Sequence, residues 1–496
     1  MGLRPATPAG GRAKVWVQPP AASVQCRVMQ IVVVAAFVLV ITLMDAQPEA
    51  GLAPWWALLS AVGAYVLAAY LLTRWSASIG LRRLMRPGGG GRLGRAPAVL
   101  ALATQVYLVA ALAGLMLAGW GSWIEQSLHL EQVPLVGKAL ALAPFVAALL
   151  AFWWAIYPLD AAMRGRQRAE MALSGESVLP LWSRRGYLSF QARHHLLFVA
   201  VPGALILAAL DLPALLVSRV GPTAATAVGL IAAGGVFLLA PAMLVHVWRT
   251  RPLPASPLRD RLEGLCRQMG LRCRDILIWE THGVVVNAGV MGLIAPVRYV
   301  LLSDALLASL DEEEVETIFA HEAGHVVHHH ILYMVIFTAA VGLLVTAGAE
   351  MLDLSLDASG AVGRLPVLLA AGTLWGWSFG ILSRRFEQQA DVFAASLAGT
   401  PPADLPQRPE LTATGAGLFG NALMAVARLN GIPPTQRNFR HGSMDRRLKR
   451  LARLAASGAG RATVDGNVRR IKHGIWALLA AGIAASIFAS QLAGGS

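Results

Sequence analysis

A chain of 496 residues with 42 Lys+Arg against 28 Asp+Glu carries a formal charge of +14. Its residues are 56% apolar and only 14% charged, against about 25% charged in soluble domains. That balance excludes an ordinary water-soluble enzyme, and a chain so rich in apolar side chains is not disordered either; a polytopic membrane protein remains.

Crossing the hydrocarbon as a helix takes about 20 mostly apolar residues, because backbone polar groups in lipid must satisfy one another. Nine stretches qualify in chain order: Val28–Met44, Leu52–Thr73, Ala98–Gly119, Ala139–Leu159, Leu196–Val217, Thr223–Trp248, Ile331–Ala349, Leu365–Leu382 and Gly474–Leu492. The first reads as an anchor rather than a signal peptide, since no small-residue cleavage site follows it. Basic residues collect in the N-terminal arm (Arg4, Arg12, Lys14, Arg27), in the loop holding Arg74 to Arg95 and in the loop holding Arg164 to Arg193, whereas the intervening loops carry Asp45, Glu49, Glu125, Glu131, Glu350, Asp353 and Asp357. Lys and Arg near span ends are retained on the cytoplasmic side, so the N-terminus is expected inside. The same rule accounts for the positive charge without nucleic acid. Trp55, Trp56, Trp153, Trp154, Trp182 and Trp248 suit an aromatic belt, and His194, His195 and His246 the membrane interface.

Two polar stretches, Arg249–His330 and Ser383–His473, are long enough to fold outside the bilayer as one cytoplasmic body. The expected organisation is a six-span membrane region over 1–248, a catalytic region with two spans over 249–473, and a final span over 474–496. The segments PGGGG at 87–91 and TPPADLPQRP at 400–409 read as connectors. In the first polar stretch, Pro257–Met269 has helical spacing of its leucines and Ile276–Trp279 is a short strand. Gly283–Ala288 and Val297–Leu302 read as a hairpin. Asp311, followed by Glu312, Glu313 and Glu314, caps a helix running to His330.

That helix carries His321-Glu322-Ala323-Gly324-His325. Residues four apart lie one above the other on a helix, so His321 and His325 can offer nitrogens to one Zn²⁺ while Glu322 projects toward a water beside it. A hydrolytic zinc site keeps one position for water and needs a third protein ligand. SRRFEQQAD at 383–391, read as a helix directly after a span, offers Glu387 as that ligand and Asp391 to hold the far ring nitrogen of a ligand histidine.

The chain at this point resembles the membrane zinc metallopeptidases of family M48, which include the bacterial heat-shock protease HtpX and the eukaryotic CAAX prenyl protease. The resemblance spans about Pro257–Leu454. It rests on Asn287-Ala288 after a short strand, on AHEAGH at 320–325 with His330 beyond it, on SRRFEQQAD, and on His441 and Arg447 in HGSMDRRL; Gly442 stands where the family has proline, and Gly289 where an aromatic residue is common. It implies a predominantly α-helical polytopic protein with a cytoplasmic gluzincin-type zinc peptidase body containing a small hairpin or sheet. One Zn²⁺ per chain would be held by His321, His325 and Glu387, with Glu322 as general base and acid. His441 and Arg447 would donate to the developing oxyanion, and an extended polypeptide would pair along Val286, Asn287 and Ala288. The implied activity is that of a zinc metalloendopeptidase of a bacterial inner membrane, acting on unfolded or misassembled membrane proteins. Processing of prenylated or other specific peptides is the alternative within the same chemistry, and a transporter or scaffold with a structural zinc the alternative outside it.

Overall fold

The computed structural model describes residues 21–45, 53–85, 95–130, 134–173, 178, 180–351, 360–399, 409–436, 439–458 and 460–494. The PGGGG connector and most of the 400–409 connector lie outside them. Helices dominate. The N-terminal region holds α1 (Ala21–Asp45), α2 (Trp55–Leu84), α3 (Arg95–Leu117), α4 (Trp120–Ser127), α5 (Pro134–Leu173), α6 (Arg184–Gln191), α7 (Phe198–Val220) and α8 (Pro222–Val247), with one π-helical stretch, Ala192–Leu197, between α6 and α7. There follow β1 (Thr250–Pro252), α9 (Pro257–Gln268), β2 (Asp275–Trp279), β3 (Ala288–Met291), β4 (Tyr299–Ser303), α10 (Asp304–Ser309) and α11 (Glu312–Val327). The chain closes with α12 (His330–Met351), α13 (Gly360–Leu397), α14 (Ala413–Leu429), α15 (Met444–Ala456) and α16 (Gly460–Gly494).

The described part of each of the nine expected stretches lies wholly or almost wholly within helix. Among the described residues seven helices are long and apolar enough to cross a bilayer, and Met29–Met44 is a shorter apolar one. The chain is an integral membrane protein. α13 and α16 each continue as polar sequence beyond an apolar stretch, carrying Arg384 to Asp391 and Arg461 to Lys472 toward the metal centre.

The sheet has the order β1-β2-β4-β3, with β2 parallel to β4 and both outer pairs antiparallel. Side chains alternate between the faces of a sheet, and here the two faces enter different cores. Leu277, Trp279, Tyr299 and Leu301 join the apolar interior of the N-terminal helices, alongside Phe145, Phe152 and Trp153. Ile276, Ile278, Val300 and Leu302 pack with α9, α10 and α11 through Leu262, Leu306 and Phe319. A third core joins α13, α14, α15 and α16.

That arrangement corrects several expectations. His194 and His195 are not interfacial but buried: Trp279 Nε1 donates to His194 Nε2 at 2.8 Å, and Phe190, Trp248 and Trp279 surround the ring. Trp153 and Trp182 are likewise buried, Trp182 Nε1 donating to Thr281 O at 3.1 Å. Trp55, Trp56 and Trp154 stay exposed, as a lipid-facing belt requires. The hairpin also begins later than its sequence suggests. The β-branched run before Ala288 is a loop: Asp304 accepts from the Thr281 and Gly283 backbone N–H groups, at 3.1 and 2.9 Å. Asn430, capping α14, takes both polar backbone groups of Val286, at 3.2 and 2.6 Å. Side-chain competition for the backbone thus overrides strand propensity. Gly292 makes the turn after β3 with φ +110°, where a Cβ would lie 2.3 Å from Val297 O.

Candidate metal centre

α11 begins with a reciprocal capping box, Asp311 accepting from Glu314 N at 2.8 Å and Glu314 accepting from Asp311 N at 3.2 Å. This satisfies two otherwise orphaned donors and fixes where the helix starts. The histidine pair then lies on the face turned to α13. Close approach is allowed by Gly324, where an added Cβ would meet Phe393 Cδ1 at 3.1 Å and Ala390 Cα at 3.3 Å. The glycine inside the histidine motif therefore sets the spacing between the two helices that carry the site.

At that contact His321, His325 and Glu387 bring three ligand atoms within 4.8 Å of one another. His321 Nε2 is 3.6 Å from Glu387 Oε2, and His325 Nε2 is 3.5 Å from Glu387 Oε1. Tetrahedral zinc with bonds of about 2.0–2.2 Å separates its ligand atoms by about 3.3–3.6 Å, so the spacing fits such an ion. Glu387 Oε2 is buried and accepts no hydrogen bond, as an oxygen reserved for a cation does.

Surrounding groups fix these three. His321 Nδ1 faces Asp391 Oδ1 at 3.2 Å, where Asp391 was expected. Arg447 binds both oxygens of Asp391 and lies 3.5 Å from Glu387 Oε2. His441 Nδ1 lies 2.8 Å from Glu387 Oε1 and is half-exposed. Burial works against charge on Glu387 and Asp391, yet the neighbouring cations prevail, chiefly His441 for Glu387 and Arg447 for Asp391, and hold both carboxyls below their ordinary range. Burial would also lower His321, but Asp391 and Glu387 overcome it and raise the ring to about 10. His325 is pushed down to about 3, first by burial. Burial raises Glu322 to about 7, near where a proton-transferring carboxyl is most effective.

Two participants, Gln389 and Asp465, escaped the sequence reading, and a third, His330, was matched there without a role. α11 ends at Val327 rather than His330, because His329 takes φ +56° and the chain turns. The turn folds His330 back, fully buried and stacked on Phe386 at 4.3 Å, so that its Nδ1 lies 3.0 Å from His325 Nδ1. Its Nε2 lies 3.0 Å from Gln389 Oε1, and Gln389 Nε2 donates to Asp465 Oδ1 at 2.6 Å. The amide oxygen of Gln389 can only accept, so His330 carries its proton on Nε2, His325 donates from Nδ1, and the lone pair of His325 Nε2 is left facing Glu387. One signal for this relay was present: Asp465 is the sole carboxylate in the sequence from Gly460 onward.

Among the predicted substrate contacts, Val286 has its backbone occupied by Asn430, and Asn287 is tied to Ser303, whose N–H donates to Asn287 O and whose Oγ accepts from Asn287 N, both at 3.0 Å. Ala288 opens β3, the outer strand next to β4. Ladder alternation turns the peptide groups of Ala288 and Val290 away from β4.

Residues 252–454 match the family model described as peptidase family M48. This region belongs to that family. Across 164 residues the chain is 26% identical to the CAAX prenyl protease 1 homolog of Oryza sativa subsp. japonica, covering 30% of this chain and 39% of the relative. Across 182 residues it is 28% identical to the protease HtpX homolog of Aeropyrum pernix, covering 33% and 55%. The matches thus span about half the length of such relatives or less. The crystal structure of S. mikatae Ste24p superposes with a TM-score of 0.49 at 16% identity, over 80% of this chain and 99% of that one.

Proposed function

We propose that this protein is a membrane-embedded zinc endopeptidase with its site facing the cytoplasm of a bacterial cell, acting on unfolded or misassembled polypeptides. The observation that carries the reading is the convergence of His321, His325 and Glu387 with Glu322 on the same helix turn. Held there, one zinc ion would polarise a peptide carbonyl and acidify water. Glu322 takes a proton during attack and returns it to the leaving amine. Asp391 holds His321 and His330 holds His325, each presenting Nε2 inward. His441 and Arg447 serve the negative charge that develops on the carbonyl oxygen, a donor of this kind contributing about 3 kcal/mol. His441 can reach it directly, while Arg447, bonded to Asp391, acts by keeping Asp391 and Glu387 ionised. An extended substrate adds to the outer edge of β3 through Ala288 and Val290, a correction to the predicted contact along Val286 and Asn287. Such pairing reads backbone more than side chains and so favours unfolded segments.

Glu322→Gln is expected to keep its zinc while cleavage of an unfolded membrane protein falls roughly 10²–10⁴-fold. Undiminished cleavage by that variant, purified free of other proteases, would remove the mechanism.

A further inference from the structure

A cavity of about 690 Å³ opens directly beside the metal centre, and its wall includes Glu387, Asp391 and His441. The rest of that wall is strongly cationic. It holds five arginines, of which Arg447 is committed to Asp391. The other four, Arg384 and Arg385 on α13 and Arg446 and Arg450 on α15, have no carboxylate within ion-pair distance among the described residues. Arg384 donates to Phe439 O at 2.8 Å, and the other three are exposed to the cavity and solvent. Glu387 is the remaining anion on the wall, and the proposed zinc would neutralise it.

Cations gathered without counter-charges are costly unless an anion visits them. For Arg450, whose head is partly buried, that burial lowers the pKa first, Arg385 and Arg453 lower it further, and Asp391 offsets part of the shift. Apolar Val392, Leu451 and Leu454 share the same wall, so the cavity suits an anion carried on an otherwise apolar or extended chain. Arg384 stands one helical turn from Glu387, about 4.5 Å along the axis, whereas an extended peptide advances about 3.3 Å per residue.

We infer that the arginine wall recognises a carboxylate of the substrate lying one or two residues from the scissile bond. This rests on the peptidase reading above and adds a substrate class to it. The carboxylate can be an Asp or Glu side chain or the free C-terminus of the peptide. A lipid phosphate is the competing occupant, since Arg384 directly follows the apolar stretch of α13; the presence of Glu387 and His441 in the same cavity favours the chain being cleaved.

The test uses the full-length zinc-loaded protein and fluorogenic peptides of one sequence that carry Glu or Gln at each position within two residues of the cleaved bond, each with a free or an amidated C-terminus. The acidic peptide should exceed its Gln counterpart in kcat/KM about tenfold, mostly through KM, as expected for a charge-assisted contact. The ratio should fall to near one in the Arg385→Gln/Arg450→Gln variant, with zinc content and thermal transition matching the parent. Whether the Glu position or the free terminus carries the preference identifies the source of the carboxylate. Equal cleavage of acidic and neutral peptides by the parent, or an unaltered ratio in the variant, overturns the inference. So does a loss of activity in the variant that follows the phosphatidylglycerol content of the vesicles and ignores peptide charge. Anisotropy measurements of the same peptides on the Glu322→Gln protein decide the question independently: absence of all cleavage by the parent protein would defeat the peptidase reading, while the ratio of binding constants to the variant still tests the wall.

Discussion

The N-terminal helices and the α11–α13 contact bury side chains to similar depth but of opposite character. Inside the former lie Phe145, Phe152, Trp153, Leu108 and Leu112; inside the latter lie His321, His330, Glu387, Gln389 and Asp391, with Arg447 against them. Burying polar and ionised groups is expensive unless every one is paired. The second region meets most of that cost by pairing these groups with one another, while Glu387 Oε2 and His321 Nδ1 have no hydrogen-bond partner among the described residues. The contrast assigns chemistry to the helix pair and support to the N-terminal bundle, which meets the catalytic region through the far face of the sheet and through α5, where Gln167 donates to Leu429 O at 2.8 Å.

The sharpest way to break this contrast is at the shared sheet. Trp279 packs in the bundle's core and donates to His194, so Trp279→Ala should destabilise the whole protein by about 3–5 kcal/mol. Thermal unfolding in detergent should show one lowered transition, with zinc affinity of the folded protein intact; weakened zinc binding at an unchanged transition would give the bundle a chemical role. A smaller effect is expected at the helix contact. Gly324→Ala pushes α11 against Phe393 and Ala390 and should cost about 1–3 kcal/mol, with zinc affinity and stability falling together. An unaltered zinc affinity would mean the spacing of α11 and α13 does not govern the site. The least disruptive change is Gln389→Leu, which removes the acceptor that fixes His330. Losses from such outer partners run about 10–100-fold in metal affinity, and calorimetric titration with zinc would show it. Tight binding by that variant would detach the relay from the metal.

Much of the site was legible because its rules are local. Helical spacing alone put His321 over His325, and a helix following a span put Glu387 and Asp391 on one face; the structure brings all four side chains together. What escaped depends on contacts between distant segments. Val284, Val285 and Val286 look like strand until Asn430, brought in by α14, captures Val286. His330 looks like the continuation of α11 until the left-handed His329 turns it inward. Burial of His194 and Trp182 likewise depends on the sheet docking against the bundle, which the pattern of spans does not record.

Everything in the functional reading depends on His321, His325 and Glu387 sharing one ion. Metal content of the purified protein, compared with that of Glu387→Ala, tests this most directly. One equivalent of zinc per chain is expected in the parent and a large loss in the variant, with the helical signature of both preserved. Full zinc content in Glu387→Ala, or none in a folded parent supplied with zinc, would contradict it.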